Sequence, residues 1–148
     1  MSLVVNKKAR HEYTIERTYT AGIVLSGQEV KSLRLGHGSF AGSYVRIISG
    51  EAFLLNAQIN AYKFAITTDY DPKRTRKLLL NKKELLELQE WSHNKGRSIV
   101  PLTFFAGGRN IKVDLGVGRG KKEFEKRAVL KQRDQEREIA RDSKYRIT

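Results

Sequence analysis

Two glycine-containing junctions constrain this chain more than any other feature. "SYVRII" (43–48) and "EAFLLN" (51–56) flank Ser49-Gly50, while "SIVPLTFF" (98–105) and "NIKVDLGV" (110–117) surround Gly107-Gly108. A two-residue connection with glycine supplies the positive φ of a tight hairpin, so each pair of runs is expected to fold back on itself. In the last run Ile111, Val113, Leu115 and Val117 share one face and Lys112 and Asp114 the other, the alternation of a half-solvated strand. "HEYTIERTYTAGIVL" (11–25) starts with Tyr13, Ile15 and Tyr19 at even spacing and then runs apolar. "AQINAYKFAI" is a further strand candidate.

Two helices interrupt this pattern. "SGQEVKSLR" (26–34) offers Ser26 as a cap and places Val30 and Leu33 three apart. "NKKELLELQEWSHNKG" (81–96) has Asn81 to cap it, Glu84 three residues on, a stripe of Leu85, Leu88 and Trp91, and Asn94-Lys95-Gly96 to stop it. Hairpin strands with inserted helices predict a mainly β fold, a small closed or partly closed barrel. At 148 residues, 39% of them hydrophobic, the chain has material for one domain with a real core. With no cysteine, disulfides, thiolate zinc sites and thiol nucleophiles are excluded. The opening lacks an apolar targeting segment, and no run approaches the ~20 apolar residues that span a bilayer. The expectation is a soluble, cytoplasmic protein.

Charge is the strongest clue to a partner. Twenty-nine Lys and Arg against sixteen Asp and Glu leave +13, divided as +8 over residues 1–118 and +5 over 119–148. Such an excess repels itself and favours polyanions. Nucleic acid leads over anionic membrane, because no basic helix carries a substantial apolar face. "NKKARHEY" (6–13) sets Lys7, Lys8, Arg10 and His11 beside Tyr13, which suits phosphate contact with stacking. "DPKRTRKLLL" (71–80) packs Lys73, Arg74, Arg76 and Lys77 into five positions before three leucines. Guanidinium forks fit phosphates, and leucine covers ribose and base faces. Lys31 and Arg34, on the helix over 26–34, join them as candidate RNA contacts.

Other chemistries fit poorly. "GVGRGKK" (116–122) has Leu115 where a phosphate-binding loop needs its first glycine, and Lys122 where it needs Ser or Thr; its glycines also miss the dinucleotide spacing. Alternate glycines instead let a strand bend or approach another backbone as the body gives way to the tail. His11, His37 and His93 fall in separate segments without ligand spacing, so no metal and no cofactor is expected. Beyond Gly120 the chain has no apolar side chain from Lys131 to Glu138. Glu123–Arg127 favours helix, but Arg133–Arg137 and Asp134–Glu138 are like-charge pairs. Residues 119–148 therefore read as a flexible basic tail, disordered alone and able to order against a polyanion.

Taken in order, "NKKARHEY", "AGIVLSGQEVKSLR", "GSFAGSYV", "GEAFLLNAQI", "DPKRTRKLLLNKKEL", "VPL" and "GRGKKEFEKR" resemble the SsrA-binding proteins, the small protein B family, over about Asn6 to Arg127. The resemblance implies a six-stranded antiparallel barrel related to the oligonucleotide-binding (OB) fold, with accessory helices and a flexible C-terminal tail. It implies a non-enzymatic adaptor, a monomer, that binds the tRNA-like domain of transfer-messenger RNA and brings it to stalled ribosomes for trans-translation. The ribosomal partners would be the 16S rRNA decoding centre and the empty mRNA channel, where the tail turns helical. Elongation factor Tu is a further partner to test. Carried onto this chain, the RNA face includes Asn6, Lys7, Lys8, Arg10, Thr20 and Leu79, and the tail site includes Gly120, Lys121, Lys122, Phe124, Lys126 and Arg127. Thr20 departs from the family's frequent Glu, and Phe124 from its His or Tyr. Two other readings of the residues are a barrel protein held permanently in a ribosomal subunit and a ribonuclease built on His11 or His93.

Overall fold

The computed structural model describes residues 2–65 and 69–121. Along them run β1 (Ser2–Val5), α1 (Lys7–Glu12), β2 (Tyr13–Ile23), α2 (Gly27–Arg34), β3 (Gly38–Ser39), β4 (Tyr44–Ile48), β5 (Glu51–Leu55), β6 (Gln58–Ile59), β7 (Arg76–Leu79), α3 (Lys82–Ser92), β8 (Arg97–Gly107) and β9 (Asn110–Gly120). One large antiparallel sheet has the order β1-β8-β9-β2-β7-β5-β4, and β3 pairs separately with β6. The chain is mainly β with helices, as its alternation predicts. The large sheet has seven strands, against the six that the resemblance implies, and no ladder closes it among the described residues. Its end strand β4 lies beside β8 without pairing, and α3 packs against both.

Both hairpins form. Ser49 and Gly50 take φ of 52° and 75°, the doubly positive pair of a type I′ turn. The second turn sits one residue later than the glycines imply, because Gly107 pairs with Asn110 and leaves Gly108, at φ 70°, to open the turn. Ser26 and Asn81 cap α2 and α3, each with its capping-box glutamate, Glu29 and Glu84. The strand candidate over 57–66 shrinks to Gln58–Ile59.

The sheet's inner face carries the main core. Ile111, Val113, Leu115 and Val117 are buried there, Leu33 of α2 and Leu88 of α3 cover it, and Phe40 stacks on Phe104 with ring centroids 4.5 Å apart. The outer face is half solvated only in part, because α1 covers one end of it. Ala9 joins Val100 and Leu102 in a second, smaller core, flanked by Tyr13 and Ile15.

That cover explains the glycines. A Cβ on Gly116 would press on Ile15 and Leu102 at 3.0 Å, and one on Gly118 would collide with the Thr14 carbonyl. The close approach coincides with a bulge: Ile15 pairs with Gly118 and Arg17 with Val117, leaving Glu16 as the extra residue. Glu16 there meets Arg97 Nε at 3.1 Å and Arg119 Nε at 3.6 Å. "GVGRG" is therefore paired strand, its glycines serving the close backbone approach that alternate glycines allow. β9 stays bonded to β2 as far as Gly120.

Gly118→Ala is expected to cost about 1–3 kcal/mol, the range for overpacking a tight site. Gly27→Ala, at an open position in the first turn of α2, should gain about 0.4–1 kcal/mol. Urea unfolding midpoints measure both, and an undiminished midpoint for Gly118→Ala would contradict the backbone contact.

Candidate nucleic-acid interface

Strand register builds the exposed outer face from residues far apart in sequence. Thr20 lies opposite Asp114, and Asp114 opposite Thr103, across β2, β9 and β8. The next row runs Phe105, Lys112, Gly22, Leu79 across β8, β9, β2 and β7. A third runs Lys77, Phe53, Arg46 across β7, β5 and β4. With no side chain, Gly22 leaves room for Leu79, whose Cβ would sit 3.3 Å from an added methyl. The result is a face that mixes cations with apolar and aromatic side chains. Thr20 Oγ1 donates to Asp114 Oδ1 at 2.8 Å, so a carboxylate stands beside Thr20, on the neighbouring strand. Lys77 Nζ lies 3.3 Å from Glu51 Oε1. Between exposed groups such a pair is weak, so the lysine stays available to a stronger anion.

The N-terminal cations and the root of the tail converge. Asn6 caps α1 with its Oδ1, which accepts from Ala9 N–H, and pins the helix to β8. Its Nδ2 donates to Pro101 O and its backbone N–H to Leu102 O, both at 2.8 Å. Asn6 is thus a positioning residue that holds Lys7, Lys8 and Arg10 in solvent. Lys121 Nζ donates to Arg10 O at 3.0 Å, and Gly120 pairs with Tyr13. Lys122, Phe124, Lys126 and Arg127 lie outside the described residues.

The run 73–77 divides into different environments. Lys73 and Lys77 point to solvent. Arg76 does not: its side chain is 0% exposed, which corrects its place among the RNA contacts. On β7 it alternates with Lys77 and faces inward, as Leu78 does on the adjoining stretch. Its Nε donates to Glu29 Oε2 at 2.7 Å, Nη1 to Ala57 O at 2.7 Å, and Nη2 to Pro72 O at 3.0 Å. Tyr70 hydroxyl donates to Ile59 O at 2.7 Å and accepts from Arg76 Nη2 at 3.2 Å. Burial, then the Glu29 charge, raises the Tyr70 pKa, so this donor stays protonated. Arg74, about one third exposed, also holds Glu29 through Nε and Nη2 and reaches Val24 O at 3.3 Å. Burial alone would push the Glu29 carboxyl up; the Arg74 hydrogen bonds, the Ser26 N–H and the Arg76 charge outweigh it and hold the pKa below its ordinary value.

Lys31 and Arg34 stand apart from the outer face. Lys31 Nζ sits 5.5 Å from the centre of the Tyr62 ring, and Arg34 Nη2 donates to Arg109 O at 3.3 Å. The outward positions Arg46, Phe53 and Phe105 escape sequence reasoning. Period-two spacing had marked Lys112 and Asp114 as outward, but only pairing shows whom they stand beside. His11 lies on α1, His37 between α2 and β3, and His93 just past α3, and among the described residues no cluster of three acidic or histidine side chains is placed to hold a metal. No described helix is long and apolar enough to cross a membrane.

Comparison with known proteins places this arrangement in context. Residues 3–145 match the model of the family described as SmpB protein. An SsrA-binding protein of Lactobacillus delbrueckii subsp. bulgaricus is 48% identical over 145 residues, covering 98% of this chain and 94% of the relative. One from Staphylococcus saprophyticus is 46% identical over the same shares. A chain from the solved structure "tmRNA-SmpB: a journey to the center of the bacterial ribosome" superposes with a TM-score of 0.70 at 46% identity, covering 82% of this chain and 86% of that one.

The Glu29 cluster sets an acid limit on the fold that carries this face. A carboxyl with a lowered folded-state pKa contributes stability above its unfolded value, and that contribution fades as pH falls through the folded value. Loss should therefore begin below pH 4.5, the ordinary glutamate value. Glu29→Gln, which leaves Arg76 buried without its anion, is expected to cost about 3–5 kcal/mol at neutral pH. It should also flatten the stability–pH curve below pH 4.5. Urea titrations of both proteins across pH test this, and parallel curves would refute it.

Proposed function

The chain belongs to the SmpB family, and from that membership we propose that it is the RNA-binding adaptor of trans-translation in its cell. It binds transfer-messenger RNA, the SsrA RNA, through the tRNA-like domain and accompanies it onto ribosomes stalled without a usable codon. The observation that carries this reading is the match to SsrA-binding proteins, unbroken across body and tail. The body supports it physically: a net +8 over residues 1–118 supplies phosphate attraction, and the outer face adds side chains that can pack on ribose and bases. In this reading the protein catalyses nothing itself; the ribosome does the chemistry, in the cytoplasm.

Thr20, Leu79 and Lys77 form the centre of the RNA face, with Lys73 and Arg74 at its border and Lys7, Lys8 and Arg10 on α1. Arg34, bonded to Arg109 O in the β8–β9 turn, and Lys31, beside Tyr62, form a separate basic patch on α2 for the same RNA. The Thr20–Asp114 pair offers an acceptor for a ribose hydroxyl or a base N–H. We read the curved sheet as an OB-related barrel whose seam lies between β4 and β8, an idea supported by the approach of these strands and by α3 against both. The tail, rooted at Gly120 and Lys121, carries Lys122, Phe124, Lys126 and Arg127 into the decoding centre and the vacant mRNA channel, where it turns helical. Phe124 stacks there on an rRNA base.

Ending the chain after Lys121 tests the division of labour while sparing strand β9 and the Lys121–Arg10 contact. The shortened protein should keep most of its affinity for transfer-messenger RNA and lose peptide tagging on stalled ribosomes in a purified translation system. Normal tagging without residues 122–148 would overturn the role given to the tail.

A further inference from the structure

Strands β4 and β8 lie side by side without pairing, and along this seam two clefts meet. The first, ≈480 Å³, runs between Lys8, Glu12 and Tyr13 on one side and Phe40–Tyr44 on the other. The second, ≈450 Å³, is bounded by Arg46, His93 and Arg97. They share Tyr13, Tyr44 and Val100, and so form one groove with two tyrosines at its waist. Each half falls within the roughly 300–1,000 Å³ of clefts that hold a small molecule.

Charge and shape restrict the occupant. Lys8, Arg46 and Arg97 line the groove against the single carboxylate of Glu12. Lys8 and Arg46 form no ion pair with any described residue, whereas Arg97 is fixed by Glu16 and by the Trp91 ring, 5.3 Å from its guanidinium carbon. An anion therefore finds two uncommitted cations, one on either side of the tyrosines. A peptide strand does not fit between the two edges. The Cα atoms of β4 and β8 already come within 8 Å, and an inserted strand needs about 9.6 Å, twice the roughly 4.8 Å spacing of paired strands. Cations that track a backbone beside exposed aromatic rings are instead the arrangement that holds single-stranded nucleic acid.

We propose that the β4–β8 seam, at the β4 edge of the outer face and away from its centre at Thr20 and Leu79, is a second RNA site that takes an unpaired strand: one base stacks on Tyr44 at the waist and the flanking phosphates meet Lys8 and Arg46. The groove begins beside the point where the tail leaves the body, since Tyr13 pairs with Gly120. A strand lying in it would run next to the root of the tail.

Fluorescence anisotropy with labelled oligouridylate and the full chain tests this. Tyr44→Ala should weaken binding roughly 5- to 150-fold, the loss of one stacked base, while Tyr44→Phe retains it. Tyr44 is exposed, so the fold should tolerate both changes; a matching urea midpoint checks that. Arg46→Ala should lower the log–log salt slope by about 0.7, one phosphate contact on a single strand. Unchanged affinity of Tyr44→Ala, or no binding by the unmodified protein at low salt, would overturn the proposal. So would full displacement by uridine monophosphate, which would make the groove a free-nucleotide site, or by polyglutamate independently of Tyr44, which would make it an acidic-protein site. Failure here leaves the outer-face reading standing, because that reading concerns a folded RNA on Thr20, Lys77 and Leu79.

Discussion

One buried carboxylate holds this architecture together. Glu29 sits at 0% exposure between the guanidinium groups of Arg74 and Arg76, in a chain whose cations otherwise repel one another. A buried ion pair often gains little net stability over an apolar replacement, but leaving one partner alone is costly. Its value here is positional. Through Arg76 it ties the N-terminus of α2 to Ala57, Pro72 and the first residue of β7. β7 is the only strand joining β2 to β5 in the large sheet as described. Fix its register and the two halves of the sheet become one surface, with Lys77 and Leu79 on its outside.

A second constraint acts where the long strands meet α1. The bulge at Glu16 and the bare backbone of Gly118 let β2 and β9 close on each other, and Gly116 makes room for Ile15 and Leu102 beneath the helix. Six residues make a marginal helix by themselves. Asn6 and the buried Ala9 hold α1 in place through tertiary contacts. The same packing brings Lys7, Lys8 and Arg10 to the end of β9, so cations from both termini of the body share one corner.

The sequence was most readable where local chemistry decides structure. The Ser49-Gly50 turn, the capping boxes at Ser26 and Asn81, and the inward face of β9 follow from spacing and residue type alone. Less was visible where tertiary pairing decides. β1 and β7 have four residues each, too few for a period to stand out, and α1 shows only its cap. Arg76 was misread because a cation among cations looks solvated. Strand alternation was the available signal, since it sets Arg76 and Leu78 on one face and Lys77 and Leu79 on the other. Thr20 and Leu79 follow from family resemblance, and only the register reveals Asp114 beside Thr20 and Lys112 across Gly22 from Leu79.

The central claim is that a folded RNA is recognised by shape on a basic β surface whose register Glu29 secures. The most direct measurement sets the tRNA-like domain of transfer-messenger RNA against an unstructured RNA of equal length, competing for the full chain at physiological ionic strength. Counterion release acts on both RNAs, with log–log salt slopes of roughly 0.7–0.9 per phosphate, so charge alone does not separate them. The account predicts clear preference for the folded RNA under those conditions; equal affinity for the two would contradict it.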